Sequence, residues 1–288
     1  MMDAILQAAV NGLVAGAILA LPAIGFTAMF AVLRFPNFAV AAFATLGAYG
    51  GWMANAWLGW PVVAALLAAF VLAGAAGAVT QRVALDALRP AGPLTVAIAA
   101  IAANVILENV LRFAFGNDLL GFDLPLARDV RFGSLRIGPQ QIENLILAVA
   151  VMAALFAFLA FTRIGKAMRA TADNPDLARL KGIEPRRVEL LAVFVGAGLC
   201  GAGGMLLGLD TSIDPLTGFR IVLSVFAAAV VGGLGSIPGA VAGALLIGLA
   251  EELATLAIAP TYKSAIGFVA ILLTLSLRPR GLLGERAY

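Results

Sequence analysis

Nine apolar runs dominate the chain, near residues 4–33, 38–57, 61–80, 94–115, 142–161, 188–209, 217–233, 239–258 and 261–277, with short polar stretches between them. About 20 apolar residues suffice for a helix to cross the hydrocarbon core of a bilayer. The pattern therefore predicts an all-α fold, a polytopic transmembrane helical bundle of about eight to ten spans. The first run is long for one span: at about 1.5 Å per residue it covers ~45 Å against a core of ~30 Å. Pro22 and Gly25 are expected to kink or break it. Phe35-Pro36-Asn37 interrupts the pattern next, and the stretch 232–239, Gly-Gly-Leu-Gly-Ser-Ile-Pro-Gly, cannot remain regular helix. Pro22, Pro36, Gly232, Gly233, Gly235 and Pro238 are accordingly the expected helix breaks. Such broken segments either flank a transport pathway or are ordinary turns at the membrane surface.

The Lys and Arg residues sort these runs by side. The loop 162–187 holds Arg163, Lys166, Arg169, Arg179, Lys181, Arg186 and Arg187, and the tail holds Arg278, Arg280 and Arg286. Both are expected on the cytoplasmic side, where basic residues accumulate. Counting back along the runs puts Arg34, Arg82 and Arg89 on the same side and the loop 116–139 outside. In that loop Arg128, Arg131 and Arg136 are balanced by Asp118, Asp123 and Asp129. The N-terminus is expected to be periplasmic and the C-terminus cytoplasmic. The first residues, Met1-Met2-Asp3, lack the positive start of a signal peptide, so the first run is expected to stay in the membrane.

Composition narrows the chemistry. Of 288 residues, 62% are hydrophobic and 12% charged, with mean hydropathy +1.02, which leaves little chain for a water-soluble catalytic domain. A single membrane domain over 1–288 is expected. Histidine is absent and Cys200 is the one cysteine, which excludes Ser/His/Asp and Cys/His catalysis, His-based zinc sites and a disulfide framework. A catalytic function is not expected. The pI of about 9.4 comes from basic residues in short loops rather than on an aromatic-studded surface, so membrane lipid, and no nucleic acid, is the expected contact. Glycines inside the runs suit close helix packing.

The loop 162–187 reads TRIGKAMRATADNPDLARLKGIEPRR. Asn174 is a good N-cap, Pro175 suits the first helical position, Asp176 complements the positive helix end, and Gly182 ends the turn. Leu177 and Leu180 share one face of the resulting short amphipathic helix. A basic loop can serve merely to fix topology and touch anionic headgroups. Caps on a loop helix favour a docking element instead.

This segment resembles the cytoplasmic signature of ABC importer permeases, in which a small-residue-rich turn and a Gly precede a short helix that enters a cleft on the ATPase subunit. "GKAMRATADNPDLARLKGI" (165–183) is similar to the equivalent part of the branched-chain amino-acid permease family. Residues 11–51 resemble that family's H-type subunit, and "GGLGSIPGAVAGALLIGLAE" (232–251) and "LRPRGLLG" (277–284) match in order. One departure stands out. Where the family usually has Asn-Phe-Ala-His-Gly, this chain has Asn37-Phe38-Ala39-Val40-Ala41.

The resemblance implies an ATP-driven importer subunit for branched-chain amino acids or related small polar solutes in a bacterial inner membrane. Arg169, Asn174, Pro175, Asp176, Leu177, Ala178, Arg179, Leu180 and Gly182 would couple it to the ATPase. Implied partners are two ABC ATPase subunits, an M-type second permease or a copy of this chain, and a periplasmic solute-binding protein. No cofactor is expected on the chain, with ATP–Mg on the partner subunits. The phosphate-binding pattern G-x-x-x-x-G-K-[ST] is missing: Gly165-Lys166 is followed by Ala167, with Ala160 where the first Gly belongs.

Polar residues within the runs are few. Asn11, Thr27, Asn37, Asn104 and Glu108 are candidates for a translocation pathway, although Arg112 is placed to pair with Glu108 across one helical turn. Asn109 is embedded as well, and Glu251 and Glu252 are expected near the outer end of their span. An ion-coupled secondary transporter or channel is the alternative. It would need several midplane ionisable groups, and Glu108 is the one fair candidate.

Overall fold

The computed structural model describes residues 2–123, 130–132, 135–259 and 262–284. Arg128, Asp129 and Arg286, and the side chain of Arg131, lie outside the described residues.

Each apolar run forms helix. In chain order the elements are α1 (Met2–Leu33), α2 (Val40–Trp52, extended by a π-turn Met53–Trp57) and α3 (Val62–Thr80). A π-turn Gln81–Leu85, α4 (Asp86–Leu88) and a 3-10 turn Arg89–Ala91 continue α3, and α5 (Pro93–Phe115) follows. A hairpin of β1 (Val130–Phe132) and β2 (Leu135–Ile137) pairs antiparallel, Val130 opposite Ile137. Then come α6 (Pro139–Phe161), α7 (Arg163–Asp173), α8 (Pro175–Leu180), α9 (Pro185–Thr211), α10 (Thr217–Gly232), α11 (Ile237–Ala254) and α12 (Lys263–Leu277). Among the described residues six stretches are long and apolar enough to cross a membrane, while α10 and α12 are shorter apolar helices.

Helix α1 is apolar on every side, and a helix with no polar face belongs in the interior. It packs against α9, α10 and α11 and is almost wholly buried beyond its first turns. Small residues set the approach. Gly12 and Gly16 lie on α11 at Leu249 and Leu245, and Gly25 faces Gly196 of α9. An added Cβ at any of these would collide with backbone atoms of the neighbouring helix. Met2 to Leu6 are exposed, so part of the excess length simply projects past the bundle.

Pro22 does not break α1, contrary to the expectation from length. The helix runs through it without interruption. Its ring is received where Gly203 of α9 lacks a side chain, and the Cys200 thiol donates to the Pro22 carbonyl oxygen at 3.7 Å. Proline is tolerated inside membrane helices where neighbours accommodate it in this way. Gly232 and Pro238 are likewise not breaks. Gly232 closes α10 and Pro238 lies in the first turn of α11, where a missing N–H costs nothing. The break falls between them: Gly233 and Gly235 take positive φ of 106° and 93°, and the Ser236 hydroxyl caps α11 through the Gly239 N–H.

Contacts sort the loops to two ends. At one end Arg34 meets α7, Arg89 pairs with Glu189 at 2.6 Å, and the tail lies on the α10–α11 turn. There Leu282 and Leu283 donate backbone N–H groups to the carbonyls of Val231 and Gly232. At the opposite end the Gln7 side chain brackets the backbone of Arg136, and Leu120 bridges to Ile213. Trp52 donates to the Gly121 carbonyl at 2.9 Å on that side. The basic loop 162–187 and the described part of the tail thus share one end, as the charge pattern requires.

The break at Pro36 is real and deep. Leu33 ends α1 at the basic end, Arg34 takes φ 62°, and buried Phe35, Asn37 and Ala39 lead back into the bundle. Helix α2 begins beside Pro22, where Val40, Ala41 and Ala44 share a small cleft with Gly218 of α10. Pro22 lies eleven residues before Leu33, or about 16 Å at 1.5 Å per residue. Gly218 donates its N–H to the Thr45 hydroxyl at 2.9 Å. Helices α2 and α10 therefore both start partway through the bundle and run toward opposite ends.

Candidate functional site

The loop at the basic end folds into a two-helix knob. The Thr162 hydroxyl caps α7 by accepting from the Gly165 N–H at 3.0 Å. Asn174 then caps α8, its Oδ1 accepting from the N–H groups of Asp176 (3.1 Å) and Leu177 (3.0 Å). Gly182 at φ 81° turns the chain, and the Ile183 N–H closes onto the Ala178 carbonyl. Ala178 is the buried contact of α8, while Leu177 (54% exposed) and Leu180 (84%) point outward. The amphipathic face read from the sequence exists, but its apolar side turns away from the bundle. Arg169, Asp176 and Arg179 are exposed, with a loose ion pair of 4.0 Å between the last two. Ala170, Asp173, Asn174, Leu177, Lys181 and Ile183 line a shallow concavity beside α8.

Helix α7 was not legible as an element, and neither was its anchor. The Arg34 guanidinium donates to the carbonyl of Ala172, in the last turn of α7. Carbonyls there lack intrahelical partners and carry the negative end of the helix dipole, so a cation is well placed. Through this bond the knob is tied to the end of α1 and to the buried break that follows it.

Of the five candidates for a pathway, Asn37 and Asn104 meet at the start of α2. Asn11 is half-buried near the opposite end, accepting from Gln7 at 3.0 Å. Thr27 is fully buried in α1, and its hydroxyl has no partner among the described residues. Asn37 Oδ1 accepts from the Ala39 N–H at 3.0 Å, leaving its Nδ2 without a partner among the described residues. Asn104 reaches from α5 to the first turn of α2, accepting from the Ala42 N–H at 2.7 Å. It caps a helix that has no cap of its own, since Ala39 precedes it. Glu108 pairs with Arg112 at 2.8 Å, as its spacing predicted.

A second polar group had escaped the sequence. Asp214 is nearly buried ahead of α10, where its Oδ1 accepts from Leu216 N–H (3.1 Å) and the Thr217 hydroxyl (3.2 Å). Its other oxygen pairs with Arg220. Farther along α10, Ser224 donates to Glu251 of α11 at 2.5 Å. Glu251 is in the last turn of α11, near the outer end of the span as expected, but it is only 7% exposed and packed inside the bundle rather than at a hydrated surface. Glu252 pairs with Lys263 at the start of α12. The one signal for Asp214 was an Asp three residues before Thr217, a turn-forming spacing at the edge of an apolar run.

Comparison with known proteins bears on the whole chain. The permease LivH of the high-affinity branched-chain amino acid transport system of Escherichia coli K12 is 34% identical over 97% of this chain and 96% of its own length. BraD, from the corresponding system of Pseudomonas aeruginosa, is 32% identical over the same shares. Among solved structures, PsaBC from Streptococcus pneumoniae in complex with Fab matches at TM-score 0.50 and 13% identity, covering 97% of this chain and 92% of that one, which supports the fold alone. The family described as "Branched-chain amino acid transport system / permease component" matches residues 8–275, and the chain belongs to that family.

Proposed function

We propose that this chain is a membrane-spanning permease subunit of an ATP-driven importer, carrying branched-chain amino acids or related small polar solutes across a bacterial inner membrane. The observation that supports it best is the α7–α8 knob: capped at both helix starts, basic, and presenting Leu177 and Leu180 outward where no fold requirement places them. An exposed apolar pair on a rigid helix suits insertion into a partner's cleft. On this reading two ABC ATPase subunits take the knob and bind ATP–Mg. An M-type permease or a second copy completes the pathway, and a periplasmic solute-binding protein delivers the solute. The N-terminus faces the periplasm and the C-terminus the cytoplasm, in keeping with the basic residues gathered at the knob end.

ATP-driven closure of the ATPase pair would move the knob, and the Arg34–Ala172 bond would pass that motion to α1 and the break at 34–39. Replacing Asp176 and Arg179 together, or placing proline at Ala178, is expected to uncouple leucine uptake from ATP hydrolysis with the bundle still folded. Wild-type uptake in either variant would refute the docking role.

A further inference from the structure

Helix α10 is fastened at both ends by segments that are not its neighbours along the chain. At its start the Gly218 N–H is one of the first-turn donors that a helix cannot satisfy by itself, and the Thr45 hydroxyl of α2 meets it at 2.9 Å. At its end the carbonyls of Val231 and Gly232 are equally without helical partners. They accept from the N–H groups of Leu282 and Leu283 at 2.8 and 2.9 Å. The chain enters and leaves α10 through joints at positive φ, Ser212 (123°) before it and Gly233 (106°) and Gly235 (93°) after it. Between these joints α10 packs on α1, α2, α11 and α12, and touches α9, which precedes it, only slightly.

The tail reaches those carbonyls because three glycines interlock. A Cβ on Gly233 would strike Gly284 and the Arg280 carbonyl, and one on Gly281 would strike Gly233 and the Val230 carbonyl. Gly281 itself takes φ 72°, which favours glycine again. Leu282 and Leu283 keep their side chains exposed, so backbone bonds and glycine contacts hold the segment. Such a fastening fixes the position of the helix end and leaves little side-chain packing to resist a change in its angle.

We propose that residues 281–284 are a backbone strap that makes the basic end of α10 a pivot during import. This rests on the importer reading above. Movement that reaches α2 from the knob enters α10 at Gly218 through the Thr45 bond. With its other end pinned, the helix tilts instead of sliding along α11. Hinged motion needs a few positions that absorb the change in φ and ψ, and Ser212, Gly233 and Gly235 stand at the two joints.

The test uses the full transporter, with its ATPases and solute-binding protein, in proteoliposomes supplied with L-leucine and ATP. Gly281→Val, which lifts the strap, is expected to lower import at least fivefold while the ATPases stay bound and keep hydrolysing ATP. The ATP hydrolysed per leucine therefore rises. Gly284→Ala, whose Cβ would meet the Arg280 carbonyl, is the milder second variant and should shift that ratio the same way. Leu282→Ala combined with Leu283→Ala keeps both N–H donors and is expected to import like wild type. Wild-type import by Gly281→Val overturns the proposal. So does hydrolysis that falls in step with import, which would make the strap a fold element alone. Failure of the alanine pair to the same degree overturns it as well, since the leucine side chains would then grip a partner. Hydrogen exchange on the wild-type complex reads the strap without transport: slow exchange at the Leu282 and Leu283 amides is expected, and free exchange overturns it. If the wild-type complex imports no leucine while those amides stay protected, the solute proposed for the transporter falls and the strap stands.

Discussion

Asn104 shows how far a single side chain can be from the role its setting suggests. A polar residue in an apolar helix reads as part of a pathway, but its oxygen is occupied by the Ala42 N–H at the start of α2. A helix beginning inside the bundle has donors that water cannot easily reach, so a cap from a neighbour takes over. Asn104→Ala should therefore lower stability by about 1 kcal/mol, in the range of lost N-caps, which thermal unfolding in detergent will show as a lower midpoint. An unchanged midpoint would mean the bond carries no weight. Glu108, by contrast, was legible from spacing alone, because an i,i+4 pair needs only a helix to form. Asp214 and Arg220 were not. Their pairing spans a coil-to-helix junction, where no fixed periodicity relates two positions.

At the scale of elements, the apolar runs anticipated every long helix because length and hydrophobicity depend on the bilayer rather than on neighbours. The failures are equally physical. Pro22 carries a local signal to break, and the space left by Gly203 on α9, far away in sequence, cancels it. The same close packing gives a prediction. Gly201 of α9 faces Gly47 of α2 and Ala69 and Ala73 of α3, so a Cβ there would strike α3 and press on Gly47. Gly201→Val is expected to destabilise by roughly 1–3 kcal/mol or more through overpacking, seen as reduced membrane yield and a lower unfolding midpoint. Wild-type behaviour would mean the helices can move apart freely.

The knob was legible in α8, where the caps announce themselves in sequence, and illegible in α7 and in its tie to Arg34. Arg34→Ala removes the cation from the α7 carboxyl end without touching the exposed face of α8. Leucine uptake should fall several-fold with ATPase binding retained. Loss of ATPase binding along with uptake would show that Arg34 merely holds the knob together.

For the whole molecule, the central proposition is directional. Loops, tail and knob sort to two ends, and on the proposed reading force applied by ATPases at the basic end would be carried inward to helices that start in the middle of the bundle. Small-residue contacts make α1, α9 and α11 a tight unit, against which α2 and α10 meet at their first turns. Family membership identifies the chain as a transport-system permease component. The proposed reading puts the knob on the cytoplasmic face, gripped by the ATPase.

Labelling a cysteine at position 180 decides that most directly. In the full complex, Leu180→Cys should react with an impermeant thiol reagent in inside-out vesicles and stay silent in right-side-out ones. A bifunctional reagent should then link it to the ATPase subunit. Labelling from the periplasmic side, or cytoplasmic labelling with no crosslink to the ATPase, would contradict the account.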